Sequence, residues 1–288
     1  MIKFISVPKS AVGLILLAST QLSFAADVYN ITASAGLMLD DNITRAQYSR
    51  DIYDDRAWFA GLSADYSIPI SNRSRMQLTA NIESWRYNES NLDHKLFSLQ
   101  ADYIFQPAGG YTAPWYSISV TYGINAHDST YRDGSFNELG LAIGKRLTDA
   151  TSLRAGISRL STTADDDNFS TDTTRLYGNL DFKFGRNTAY TTLAYSTGDI
   201  VATVGDQGYG YPQSLSGMNH TGDDAFPWLN DAWAYKLDAD TWSLRLGYVL
   251  AITGNQSIDA SLLQYSSSAY GGNDYDGIIT TITYFYRF

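Results

Sequence analysis

Segment after segment of this chain alternates apolar and polar residues with a period of two, the spacing that sends successive side chains to opposite faces of a strand. Ala57–Ile68 puts Trp58, Ala60, Leu62, Ala64, Tyr66 and Ile68 on one face and Ser63, Asp65 and Ser67 on the other. Asp240–Ile252 sets Trp242, Leu244, Leu246, Tyr248, Leu250 and Ile252 against Ser243, Arg245 and Gly247. Asp27–Met38, Arg75–Arg86, Lys95–Phe105, Pro114–Ala126, Phe136–Leu147, Ser152–Ser161, Asp172–Phe184, Ser257–Ser267 and Gly277–Phe288 repeat the pattern, and Thr188–Thr197 repeats it weakly. Twenty-two Tyr fit this reading, because aromatic residues favour strands. Twelve strands of about this length are each long enough to cross a bilayer when tilted. Ten or fourteen strands stay open, because Thr188–Thr197 is soft and Ile200–Val204 would make an extra piece.

The final strand is the most telling. Ile278, Thr280, Ile282, Tyr284, Tyr286 and Phe288 share one face, and the sequence stops on the aromatic ring. In water such a strand would offer an apolar face and an open edge to other chains. Against lipid, with the sheet closed on itself, both liabilities vanish. This ending resembles that of Gram-negative outer-membrane β-barrels. The resemblance covers the chain after residue 25 and reaches no named subfamily. It implies an all-β, transmembrane, antiparallel up-and-down barrel, integral to the outer membrane. It also implies lipid and lipopolysaccharide as neighbours, and a barrel-assembly machinery that reads Tyr284, Tyr286 and Phe288.

The other end agrees. Lys3 and Lys9 precede the apolar run Ala11–Ala18, and Ser23-Phe24-Ala25 offers small residues before a cut. Residues 1–25 read as a cleaved signal peptide and 26–288 as one domain. No Cys occurs, which excludes both disulfides and a lipoprotein anchor. The net charge of −10 argues against nucleic acid as a partner. The connections alternate between short turns, such as Gly185–Asn187, and longer Asp-rich loops. The longest is residues 198–239. The short set should face the periplasm and the long set the outside.

Strand parity then assigns the lumen. Asp65, Glu83, Asp102 and Glu138 point inward on early strands; Arg146, Arg154, Arg175, Lys183 and Arg245 point inward on later ones. Two arrangements are open. The charges face each other across a water-filled passage and set its selectivity, or they pair with one another and plug it. Small inward residues such as Gly123, Gly144, Gly156 and Gly247 suit either arrangement.

The loops carry two further candidates. Tyr209, Tyr211, Trp228 and Trp233 would stack on a ligand or cap the mouth. Asp165-Asp166-Asp167 offers oxygen ligands for Ca²⁺ or Mg²⁺, without the spacing of an EF-hand loop. The sequence holds no other cofactor motif and no nucleophile-elbow Ser. A barrel hydrolase would need His94, His127 or His220, which read as surface residues. The sequence therefore points first to passive passage of small polar solutes. Its rival is a non-conducting surface barrel with ligand-contacting loops, and an enzyme is the least favoured reading. Oligomeric state and solute identity have no signature here.

Overall fold

A computed structural model describes residues 29–205, 219–229, 232–269 and 273–288. The signal-peptide expectation for residues 1–25 lies outside them. The strands are β1 (Tyr29–Asp40), β2 (Asp55–Ser71), β3 (Ser74–Tyr87), β4 (His94–Phe105), β5 (Trp115–His127), β6 (Gly134–Arg146) and β7 (Thr151–Ala164). They continue with β8 (Thr171–Phe184), β9 (Asn187–Gly205), the short β10 (His220–Gly222), β11 (Ala232–Ala251), β12 (Gln256–Ala269) and β13 (Asn273–Arg287).

Each crossing strand pairs antiparallel with the next. β13 returns to β1 through Thr32↔Arg287 to Asp40↔Ile279, and β9 pairs directly with β11. The result is a closed barrel of twelve strands, with β10 as an appendix on β11. Closure satisfies every edge, which is what a sheet in hydrocarbon requires. The last residue takes part: the backbone N–H of Phe288 donates to Ile31 O at 3.0 Å.

The expected parity holds. Trp58, Leu62, Ile82, Leu99, Leu246 and Ile282 stand exposed on the outer wall. The apolar band thus faces outward, away from the barrel interior. The buried apolar clusters sit at the end that carries the long loops. One gathers Ile43, Leu92, Ala225, Phe226, Leu229 and Ala232; another gathers Ala202, Val204, Tyr235, Leu237, Ala239 and Ala269.

The soft segment Thr188–Thr197 and the extra piece Ile200–Val204 prove to be one strand. β9 runs 19 residues and β11 runs 20. Much of the expected 198–239 loop is therefore sheet. The period-two signal is blurred there because both faces of the extension meet protein, so small and apolar residues occupy both parities.

Candidate functional site

The lumen and the mouth above it form the candidate site. All nine inward charges anticipated from parity do face the lumen, and each is only partly buried. Among the described residues none of the nine takes part in an ion pair. Neutral donors hold the carboxylates instead. Asp65 accepts from Thr79 Oγ1 at 2.7 Å, Glu83 from Trp85 Nε1 at 3.0 Å, and Asp102 from Gln100 Nε2 at 2.7 Å. Two further inward acids behave alike: Asp181 accepts from Asn179 at 2.8 Å and Asp259 from Tyr190 OH at 2.9 Å.

Several of the cations lie over rings. The guanidinium of Arg146 sits 4.4 Å from the Tyr111 centroid. That of Arg154 lies 5.6 Å from Trp115 and 5.8 Å from Tyr177, and Arg175 shares Tyr177 at 5.8 Å. Arg154 also interacts electrostatically with both Asp102 and Asp181. Stacked guanidinium groups keep their N–H edges available to a solute.

The inward glycines have a specific use that single-strand parity does not reveal. Register places an aromatic residue directly opposite six of them: Gly36–Phe59, Gly123–Phe136, Gly144–Trp115, Gly156–Tyr177, Gly247–Tyr190 and Gly277–Tyr265. A Cβ on any of these glycines would overlap the facing ring. Each ring therefore lies flat against the wall rather than across the passage. We expect Gly247→Val to push Tyr190 off the wall and break its bond to Asp259. Overpacking of this kind costs about 1–3 kcal/mol. Gly178→Val, on the lipid face where a Cβ meets nothing within 4 Å, should cost far less. Urea midpoints of the folded barrel compare the two.

The mouth is covered. Beyond Gly198 and Ala239, β9 and β11 leave β8 and β12 behind and continue as an arm, to which the short β10 adds a third strand. Gly198 takes a left-handed conformation (φ 124°) against Asp172 O, where a side chain would not fit. The arm bonds to the β1–β2 loop through Thr203 N–H to Thr44 O at 2.8 Å. It meets the β7–β8 loop through Lys236 Nζ to Asp167 O at 2.9 Å and to Ser170 O at 3.1 Å. The segment after β10 engages two more loops. In β3–β4, Asn91 N–H donates to Ala225 O at 2.8 Å. In β5–β6, Ser129 Oγ donates to Asp224, and Arg132 pairs with Asp223 at 2.5 Å. These four loops rise from β1 to β8, two-thirds of the ring, so the arm and the segment after β10 together cover the opening.

Asp223 is the cap's central tie. Its side chain is 0% exposed and that of Arg132 is 5% exposed. Thr203 Oγ1 donates to the same carboxylate at 2.6 Å, and Arg132 lies 4.2 Å above the Phe169 ring. A second tie fixes the β1–β2 loop, where Arg45 grips Asp40 bidentately at 2.6 and 2.9 Å and donates to Tyr265 OH at 2.6 Å. The aspartates at this end of the barrel are thus partly structural, with Asp40, Asp51, Asp55 and Asp223 all buried.

The remaining candidates fall as follows. Trp228 packs inside the cap against Tyr53 and Phe226. Trp233 meets the His220 ring edge-on at 4.9 Å. Tyr209 and Tyr211 lie outside the described residues. Asp165, Asp166 and Asp167 do not converge: Asp166 caps a short turn at Asn168 N–H, and Asp167 offers only its backbone O to Lys236. Among the described residues no group of three or more acidic or histidine side chains is placed to hold a metal. Tyr284 is on the outer wall, and Tyr286 stacks edge-on against Phe288 at 5.0 Å.

His94 and His127 are not surface residues. They are buried together under the cap, with ring centroids 5.1 Å apart. His94 Nδ1 bonds to Leu92 O at 2.9 Å. Among the described residues no Ser or carboxylate is bonded to either ring, so no hydrolytic pair is assembled there.

No family model matches this sequence, and no curated protein matches it. Solved structures do. An outer membrane channel from Pseudomonas putida F1 aligns over 92% of this chain and 97% of its own, at 11% identity and TM-score 0.56. The β domain of a Bordetella autotransporter (12% identity, 90% and 99% covered, TM-score 0.46) and the KdgM porin (11%, 88% and 98%, TM-score 0.43) are looser matches. The fold is that of the outer-membrane β-barrels, and no subfamily is identified.

Proposed function

We propose that this protein is an outer-membrane channel for small polar solutes, with its covered mouth facing the outside. The observation that carries the reading is the set of nine half-buried lumen charges, none of them in an ion pair among the described residues. A sealed structural barrel has no use for such groups. Unpaired charges in a dry interior are costly, and they are tolerated where water or solute reaches them. The resemblance to a channel of the same fold is consistent with this. The cap favours one other reading, a barrel that does not conduct and serves as a binding or structural element. Planar-bilayer recording and liposome swelling separate the two. The channel reading expects small, intermittent steps from the intact protein and larger ones once the cap is untied. If neither the intact protein nor an untied variant conducts or swells liposomes, the channel reading falls.

A further inference from the structure

The outer wall carries a basic patch. Arg56 on β2, Arg86 on β3 and Lys95 on β4 all point outward and are exposed, on three consecutive strands at the long-loop end. Register fixes their spacing. Arg86 stands opposite Trp58, two residues from Arg56, and Lys95 stands opposite Ser84, two residues from Arg86. Side chains at such diagonal positions on one face lie roughly 7–8 Å apart, within mutual reach of Arg and Lys. Below them on the same face come Trp58, Ile82 and Phe97 of the lipid-facing band.

Two comparisons give the patch meaning. Elsewhere on the outer wall, Arg159 is matched within the protein by a bidentate grip on Asp172. Among the described residues the patch forms one ion pair, Arg86 with Asp93 at 3.5 Å, and Arg86 is still 78% exposed. Farther round the rim, on β11 and on β13 beyond β1, the outward charges are acidic: Asp240, Asp274 and Asp276. In a chain of net charge −10, three clustered, exposed cations at the edge of the apolar band offer a site to an anionic partner outside the protein.

We propose that Arg56, Arg86 and Lys95 form a binding site for the phosphate groups of a phosphorylated glycolipid in the outer leaflet. Its acyl chains would lie on the apolar band below. Arg suits this task because its planar fork binds phosphate bidentately. Basic side chains at a membrane surface hold anionic headgroups in the same way.

The test uses the full-length barrel in detergent, with bisphosphorylated lipid A as probe and native mass spectrometry as readout. We expect a bound lipid that survives delipidation. The triple charge reversal Arg56→Glu, Arg86→Glu, Lys95→Glu should weaken binding roughly a hundredfold. Reversing Arg159 instead should change it little. Dephosphorylated lipid A should bind the intact protein as weakly as the triple variant binds the phosphorylated form. Equal retention of the two lipids, or an unchanged affinity in a triple variant that keeps its folded electrophoretic mobility, overturns the proposal. Displacement of the lipid by millimolar inorganic phosphate also overturns it, by showing a site for free anions.

Discussion

Asp223→Ala should turn a mostly closed barrel into a conducting one. The substitution removes the acceptor shared by Arg132 and Thr203 and leaves the Arg132 guanidinium buried without a counter-charge. Removing one partner of a buried pair costs about 3–5 kcal/mol. That cost falls on the covered state alone. The twelve-stranded ladder closes through β1 and β13 without help from the cap, so the barrel stays intact while the cap leaves the mouth. A bias of even 3 kcal/mol shifts a two-state equilibrium more than a hundredfold. Open probability in planar bilayers should rise accordingly, with folded electrophoretic mobility unchanged. Arg132→Met in the same chain removes the orphaned charge and should restore part of the closure, since an apolar replacement of both partners is often tolerated. An Asp223→Ala barrel that conducts like the unaltered protein would show that this tie does not hold the mouth shut.

Much of this architecture was legible because a lipid-facing strand advertises itself. Trp58, Leu62 and Tyr66 alternate with Gly61, Ser63 and Asp65, and each parity has a single environment over the full crossing. The closing strand and all nine lumen charges follow from that rule. The cap was not legible for the complementary reason. Ile200–Val204 and Trp233–Leu237 are protein-facing on both sides, so they carry no alternation to separate them from a loop. Asp223 reads as one turn aspartate among many, and its role depends on Arg132, ninety-one positions away. The glycine–ring pairs needed register as well as parity. Gly247 and Tyr190 look unrelated until β9 and β11 are laid side by side.

Acid should act on the same cap. His94 and His127 lie beyond the lipid band, separated from the outermost band residues Phe97 and Ile124 by Lys95 and Ala126. Burial pushes His94 down to about 4, against a small opposing effect of its bond to Leu92 O. His127 is also held well below the ordinary histidine range, by burial first and then by His94 and Arg132. Among the described residues neither ring nitrogen of His127 has a hydrogen-bond partner. With the cap lifted, both rings meet water and return toward about 6.5. The covered state thus binds fewer protons than the open one. Its advantage is complete above about pH 6.5 and is lost as the pH falls toward 4. Each proton taken up favours opening about tenfold per pH unit across that window. Open probability should therefore climb steeply between pH 6.5 and 4.5. The His94→Phe, His127→Phe double variant keeps the stacked rings and removes the titrating nitrogens, so its mouth should stay closed through the same range. An unchanged pH profile in that variant would take the acid response away from these rings.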